Sequence, residues 1–343
     1  MANFEEMAML FAVNNVEEHQ NNFNNAHHER QTRNKEMITD PFKLTDRLFI
    51  KNFRLTKDVV KDLIILLSPH LSNSFRSSAI DLNTKIFVTL NFLATGSYQS
   101  PIGNSRFMGL SQPSVSRCIS EVVTALNLPE IFNAWVKFPK NINELNDIRN
   151  GFYRNTGFPG VVGCIDCTHV AITPPSTNLN LNENQHPEYI YVNRKGYHSI
   201  NVQLICDSNL KILNVNALFP GNTHDTHVWN NKNYNRRQMS TRSIIERCNG
   251  VLKMRFRCLL RDRTLHYKPE KASSIINACV VLHNMCITNN VPMPDDPNIE
   301  DLDNLGMVED QDFLADFNRN IDLTLGRQQR NRVIRYLSHR NVI

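Results

Sequence analysis

Two aspartates follow or interrupt apolar runs of the sequence, where a charged side chain needs a partner. Asp166 lies within the apolar run 161–172, and Asp225 comes after the next such run and the turn Pro220-Gly221. A carboxylate at such a position is costly unless it is paired or bound to a metal. Hard ions such as Mg²⁺ prefer carboxylate ligands, and two of them roughly 3.5 to 4 Å apart can activate water and neutralise a transferring phosphate. The two aspartates therefore predict metal-dependent phosphodiester chemistry, with Asp166 at the open end of a sheet.

Glu246 is the third candidate carboxylate, on a predicted helix that follows both aspartates. Gly250, Lys253 and Arg257 recur at helical spacing near its side, a pattern that suits a phosphate backbone. The same residues allow a structural account, because Ser243 and Glu246 have the spacing of a capping box at a helix start. The sequence leaves both interpretations open.

Two histidines, His169 and His224, lie close to these aspartates in sequence. Either histidine could orient a metal-bound water or a substrate phosphate, or could be a hydrogen-bonded structural residue. Cys164 and Cys167, just before His169, resemble half of a zinc site. Residues three apart on a strand point to opposite faces, however, so this spacing argues against a shared zinc ion.

The elements that would position these residues form an α/β domain predicted over residues 152–290. Runs rich in Val and Ile predict three strands, at 161–172, 197–207 and 211–219, with a turn at 207–209 between the last two. Two helices follow, at 241 to about 260 and at 269 to about 287; the second is apolar nearly all round and should be buried.

A helical region is predicted upstream, over residues 44–138, and its best-marked helix starts near Ser111. Ser111 is a good N-cap, and Pro113 suits the first turn. Four apolar residues, Val115, Ile119, Val122 and Val123, should pack inward. The outward residues Gln112, Ser114, Ser116 and Arg117 resemble the face of a recognition helix in a helix-turn-helix, although an ordinary bundle helix fits as well.

The charges are unevenly distributed along the 343 residues, whose formal net charge is +5. Residues 232–263 carry ten Lys and Arg but two acids, a balance that suits a polyanion or a solvated face. We predict that DNA contacts come from Ser114, Ser116, Arg117, Arg194, Lys195, Lys253 and Arg257. Residues 1–40, rich in Asn, Glu and His, should be a disordered arm, and residues 291–343 an acidic, then basic, tail.

Composition narrows the protein class further. No apolar run approaches the roughly 20 residues of a membrane span, and the N-terminal residues lack the basic flank of a secretory signal. The eight cysteines are not spaced like a secreted disulfide scaffold, so they should be reduced and mostly buried. We expect a protein that stays inside the cell.

Four ordered motifs resemble those of the PIF/Harbinger transposases and the domesticated nucleases derived from them. They are Gly163-Cys-Ile-Asp-Cys-Thr-His-Val170, Tyr191-Val-Asn-Arg-Lys-Gly-Tyr-His-Ser199, Phe219-Pro-Gly-Asn-Thr-His-Asp225 and Ile245-Glu-Arg-Cys-Asn-Gly-Val-Leu-Lys-Met-Arg-Phe256. The upstream helices also look like the family's helix-turn-helix region, so the similarity spans roughly residues 48–286.

This resemblance implies a ribonuclease-H-like fold, a mixed sheet flanked by helices and preceded by the helix-turn-helix region. It implies a DDE endonuclease site in which Asp166, Asp225 and Glu246 bind Mg²⁺ or Mn²⁺. It also implies DNA as substrate, a location in the nucleus with the cytoplasm as a second location, and a Myb/SANT-like partner protein or a homo-oligomer.

The chain departs from the family pattern between Asp225 and Glu246. Family members carry several tens of residues more there, including a strand that ends in a Gly-Asp-Ser-Gly-Tyr-like segment, where this chain has residues 230–240. That strand would place its carboxylate beside the one on the first strand, so its loss predicts a truncated sheet. Three hypotheses follow: a metal-dependent nuclease, a catalytically inactive DNA-binding protein, and a degraded transposon reading frame without a cellular role.

Overall fold

The computed structural model describes residues 40–71, 79–103, 108–175, 187–223 and 236–293. Within α8, the side chains of residues 236–242 are not part of the description. Asp225, His224, the predicted arm up to residue 39 and the tail from residue 294 lie outside the described residues. The described chain is mixed α/β, with helices on both sides of a small antiparallel sheet in the sequence.

The first six helices of the described residues lie ahead of the sheet and pack around a shared apolar core. They are α1 (Asp46–Phe53), α2 (Lys57–Leu67), α3 (Leu82–Thr95), α4 (Gln99–Gly103), α5 (Gln112–Leu126) and α6 (Pro129–Trp135). The side chain of Asp81 caps α3 by accepting from Thr84 N at 2.8 Å, and Gly96, at φ 61°, ends it. Phe49, Phe53 and Phe87 pack together where α1 meets α3.

Helix α5 matches the helix predicted from Ser111 and Pro113. It packs against α3 and α4, and the four residues predicted to face inward are all buried. On its other side Arg117 is exposed, and its Nη2 donates to Ser114 Oγ at 3.3 Å. The start of α5 is thus polar and accessible, whereas DNA recognition by this helix stays a prediction.

Three strands form the sheet, in the order β1-β2-β3: β1 (Cys164–Ala171), β2 (Ser199–Cys206) and β3 (Ile212–Pro220). Both pairs are antiparallel, and Asp166 of β1 lies opposite Leu204 of β2. The predicted turn between β2 and β3 is confirmed, with Asp207 Oδ1 accepting from Asn209 N and Lys211 N. Beyond the end of β1, Ile172 forms an isolated parallel bridge with Leu265.

Three longer helices complete the fold: α7 (Ile142–Thr156), α8 (Arg236–Arg255) and α9 (Pro269–Thr288). Helix α8 packs against β1 and β2, and α9 packs against β3, α5 and α6. The prediction for α9 is confirmed, including its burial on nearly all sides. The side chain of Asn284 accepts from Ile212 N on β3 and donates to Ile212 O. It also donates to Trp135 O, so α9 joins the sheet to the upstream helices.

The predicted extent of α8 is wrong at both ends, since the helix begins at Arg236 and stops at Arg255. Phe256 leaves the helical conformation at φ −114° and ψ 85°, and a short 3-10 turn follows at Arg257–Leu259. The apolar stripe persists across this break because Phe256 and Leu259 are buried there as well. Periodicity alone therefore predicted a helix end beyond the one that the chain forms.

Arg255 fixes the end of α8 against the upstream helices. It is 2% exposed; its Nη1 donates to Arg54 O at 3.1 Å and its Nη2 to Val291 O at 3.0 Å. The buried apolar residues form one cluster that runs through both the helical region and the sheet region. Seven of the eight cysteines are buried, as predicted, and all eight are free thiols. No helix in the described ranges is long and apolar enough to cross a membrane.

Candidate metal and DNA site

Asp166 lies on the face of β1 that packs toward α8. It is the third residue of the strand and half-buried, between the buried side chains of Cys164 and Thr168. β1 begins only at Cys164, so Asp166 sits near the start of the strand and not at its far end. The burial of its neighbours leaves the carboxylate in a partly desolvated position, where it needs polar partners.

Asn249 supplies one of those partners. Its Nδ2 donates to Asp166 Oδ2 at 3.0 Å, and its side chain is 4% exposed. A buried amide donor of this kind fixes the orientation of a carboxylate. The sequence prediction missed Asn249, although its position three residues after Glu246 placed it on the same side of the helix.

Lys253 lies one turn further along α8 and is also buried, at 2% exposure. Its Nζ donates to the backbone oxygen of His169 at 3.0 Å. Burial lowers the pKa of Lys253, the nearby Asp166 carboxylate raises it and Lys195 lowers it, and together they bring this pKa to about 8. The ammonium therefore faces inward in this structure, and the prediction that Lys253 contacts DNA stays a prediction.

Glu246 occupies the middle of α8, one turn before Asn249, and is half-buried. The capping-box interpretation is wrong, because α8 begins at Arg236 and Ser243 therefore lies inside the helix. Glu246, Asn249 and Lys253 recur at intervals of three and four residues, which places them on one side of α8. Asn249 and Lys253 contact β1 from that side, so helical spacing predicts that Glu246 faces β1 as well.

The backbone that leads to Asp225 is held beside the sheet up to Thr223. Asn201 of β2, the register partner of His169, donates from Nδ2 to Thr223 O at 2.9 Å, and Asn222 N donates to Ile190 O at 2.9 Å. A side chain at Gly221 would meet Ser199 and Tyr191. The chain is thus fixed two residues before Asp225, whose own position lies outside the described residues.

The donor chemistry of Asp166 and Glu246 fits a hard divalent cation such as Mg²⁺ or Mn²⁺, which takes carboxylate oxygens. Within the described ranges, no group of three His, Cys, Asp or Glu side chains could hold a metal ion. The described part of the chain therefore carries two of the three predicted carboxylates, and Asp225 is the third.

His169 connects this interface to the basic turn at Asn193–Tyr197. Its Nδ1 lies 3.0 Å from Ser199 Oγ, which accepts from Asn193 Nδ2 at 2.9 Å. Asn193 Oδ1 in turn accepts from Lys195 N at 2.9 Å. These bonds favour the structural interpretation of His169. They also fix the exposed turn that carries Arg194 and Lys195 relative to β1.

Comparison with known proteins places the chain in a family. A sequence model described as "DDE superfamily endonuclease" matches residues 165–234 and 230–284. The rat protein named "Putative nuclease HARBI1" is 31% identical over an alignment of 304 positions that covers 75% of this chain and 83% of the rat protein. The chain belongs to the Harbinger transposase-derived nuclease family. The human protein of the same name is 30% identical with the same coverage.

A more distant relative of this Harbinger-family nuclease is the Arabidopsis thaliana "Protein ALP1-like", 24% identical over 198 residues, or 57% of this chain and 45% of that protein. No solved structure matches the chain. The matched ranges 165–234 and 230–284 include Asp166, Asp225 and Glu246. The three predicted carboxylates therefore all fall within the region that is similar to the endonuclease family.

The comparison also bears on the short segment between Asp225 and Glu246. The 304 positions aligned with the rat protein exceed 75% of a 343-residue chain, so the alignment contains residues of the relative without a counterpart here. The two family matches meet at residues 230–234, the place where the sequence predicted missing residues. The alignment length does not locate those residues, whereas the position of the two family matches agrees with a shortened segment at this point.

Proposed function

We propose that this Harbinger-family nuclease is a divalent-metal-dependent DNA endonuclease that hydrolyses phosphodiester bonds. Asp166, Asp225 and Glu246 would be its metal-binding carboxylates. The observation that carries this proposal is the hydrogen bond from Asn249 to Asp166, because it brings the Glu246 side of α8 against the strand that bears Asp166. Two carboxylates of the predicted set would thus face each other across one interface.

Mg²⁺ or Mn²⁺ bound there would neutralise charge on the transferring phosphate and activate a water molecule. The protein's own residues would hold the metal-binding carboxylates in position. Asn249 orients the Asp166 carboxylate, and Lys253 ties α8 to β1 at the carbonyl of His169. Since displacements of about 1 Å already reduce catalysis strongly, these two contacts would keep Glu246 in register with Asp166.

DNA is the substrate that this family membership and the distribution of cations favour. The polar start of α5, with Ser114, Ser116 and Arg117, is accessible for base or phosphate contacts. Arg194 and Lys195 are exposed on a turn that is bonded to β1. With DNA as substrate, we also propose a nuclear location.

A second candidate function is DNA binding without cleavage. The shortened segment between Asp225 and Glu246 favours it, because the family's fourth strand would carry a carboxylate beside β1. Under this alternative the cationic surface and α5 would still bind DNA, while Asp166 and Glu246 would lack a complete set of ligands.

Nicking of a supercoiled plasmid tests the proposal directly. The wild-type protein, Asp166→Asn and the exposed control Asp58→Asn would be compared in Mg²⁺, in Mn²⁺ and in chelator. We expect the wild type and Asp58→Asn to nick only with metal, and Asp166→Asn to lose at least about 100-fold of the rate. Equal nicking by Asp166→Asn would refute the assigned site. No nicking by the wild type, together with salt-sensitive DNA binding, would support the second function.

A further inference from the structure

A cleft of about 330 Å³ opens at the far end of β1, outside the carboxylate interface. Its walls come from the basic turn, through Gly196 and Tyr197, and from the segment after α8, through Arg261 and Thr264. Ile172, just beyond β1, forms part of its lining. Ala171 and His198 complete the lining, so the cleft lies between the end of β1, the basic turn and the segment that carries Arg261.

Backbone hydrogen bonds clamp the Arg261 segment to the end of β1. Leu265 N donates to Ala171 O at 3.0 Å, and Thr173 N donates to Leu265 O at 3.1 Å. The guanidinium carbon of Arg261 lies 4.8 Å from the centre of the Tyr197 ring, a cation–π contact across the cleft. Arg261 is thus oriented by an aromatic face that leaves its charge unneutralised.

Arg261 brings a positive charge into the cleft. Among the residues that the structure describes, it forms no ion pair with a carboxylate. The two neighbouring acids have other partners, since Asp262 lies 3.6 Å from Arg263 and the Glu188 carboxylate lies 3.0 Å from His198 Nε2. A bound anion would therefore meet the Arg261 guanidinium without displacing an existing ion pair.

We propose that this cleft is a subsite for a backbone phosphate of the DNA strand, with Arg261 as the binding residue and Tyr197 as a positioning residue for Arg261. The inference rests on the proposed function in that DNA is the substrate. A guanidinium presents paired donors that match phosphate oxygens. Gly196, at φ 78°, has open space around its missing side chain, which allows the phosphate close to the backbone.

The held phosphate is not the one that is cut. Ala171 is five residues beyond Asp166 along β1, and a rise of about 3.3 Å per residue separates them by roughly 17 Å. Since phosphates on one strand of B-DNA are about 3.4 Å apart along the axis, the subsite lies several nucleotides from the scissile bond. Arg261 should therefore affect substrate binding and leave the chemical step unchanged.

DNA binding without metal separates this inference from the nuclease proposal. Anisotropy of a labelled duplex would be titrated with the full chain in chelator, from about 50 to 200 mM salt, for the wild type, Arg261→Gln and the exposed control Arg154→Gln. We expect Arg261→Gln to weaken binding to any sequence and to reduce the slope of log affinity against log salt by about 1. Arg154→Gln should leave the slope at the wild-type value.

Two variants of Tyr197 test how Arg261 is positioned. Tyr197→Phe keeps the ring beneath the guanidinium and should retain the wild-type slope, whereas Tyr197→Leu should move the slope toward that of Arg261→Gln. An Arg261→Gln slope equal to that of Arg154→Gln, or no DNA binding by the wild type, would overturn the inference. A reduced Arg261→Gln slope in a protein that never nicks DNA would sustain the subsite and remove the nuclease.

Discussion

Replacing Lys253 with Met tests the most unusual charge in the candidate site. The side chain is 2% exposed, and its ammonium donates to the carbonyl of His169 inside the α8–β1 interface. Met preserves most of the length and volume of the lysine stem while it removes the charge. The substitution therefore isolates the effect of a desolvated ammonium on stability from the effect of packing.

The size of the effect follows from the pKa of Lys253, which burial lowers from 10.5 to about 8. Between these two values the unfolded chain keeps the proton on Lys253 and the folded chain releases it. Because the unfolded state then binds more protons, the free energy of unfolding rises with pH across this window. Below pH 8 both states are charged, and above pH 10.5 both are neutral. From pH 7 to pH 9.5 the rise amounts to about 2 kcal/mol.

Buried thiols act in the opposite direction over part of the same range. Burial raises the pKa of Cys118 to about 11 and that of Cys164 to about 12, so their unfolded forms ionise first and stability falls as pH rises above about 9. This contribution is common to the wild type and the variant. It cancels when the two proteins are compared at each pH.

Urea unfolding at pH 7, 8.5 and 9.5 with a reducing agent would measure the comparison. We expect the stability of the wild type relative to Lys253→Met to increase by about 2 kcal/mol from the lowest to the highest pH. The exposed control Lys137→Met should follow the wild type. Parallel pH profiles for the wild type and Lys253→Met would show that the ammonium is solvated, and would refute its burial against β1.

Three further substitutions test contacts around the site. Asn249→Leu removes the donor to Asp166, and we expect about 10- to 100-fold slower nicking with an unchanged circular dichroism spectrum; an unchanged rate would refute the orienting role. Gly221→Ala forces a side chain against Ser199, and we expect about 1 to 3 kcal/mol of destabilisation in urea, whereas no loss would show that the turn has room. Arg255→Met leaves buried carbonyls such as that of Val291 without donors, and we expect at least about 3 kcal/mol of destabilisation by thermal unfolding; a change under about 0.5 kcal/mol would contradict it.

The strands and the buried helix α9 could be predicted from the sequence because the burial of apolar side chains dominates their formation. Runs of Val and Ile bounded by turn residues correspond to β1, β2 and β3, and the nearly uniform apolar surface of residues 269–287 corresponds to the central helix. The limits of α8 could not be predicted in this way. Burial continues through Phe256 and Leu259 after the helix ends, so the apolar pattern carries no information about the break.

The sequence predicts carboxylates for the candidate site but not their contacts. Asp166 stands out because a charge in an apolar run needs an explanation, and Glu246 because Lys253 and Arg257 follow it at helical spacing. Asn249 carries no charge, so its role emerges only when the register of α8 against β1 is known. The role of Lys253 could not be predicted either, because a helical position in a basic stretch does not show whether the ammonium faces DNA or the protein interior.

The contacts between α8 and β1 also bear on what a shortened segment between Asp225 and Glu246 would do to the site. In the described sheet β1 is an edge strand, and its bridge to Leu265 lies beyond its last residue. Asn249 and Lys253 hold α8 to β1 through direct bonds, so the approach of Glu246 to the Asp166 strand does not require a fourth strand between them. Loss of that strand would therefore remove one carboxylate and leave the α8–β1 interface intact. Asn201 holds the backbone at Thr223, and cleavage would then depend on whether Asp225, two residues later in the sequence, can replace that carboxylate.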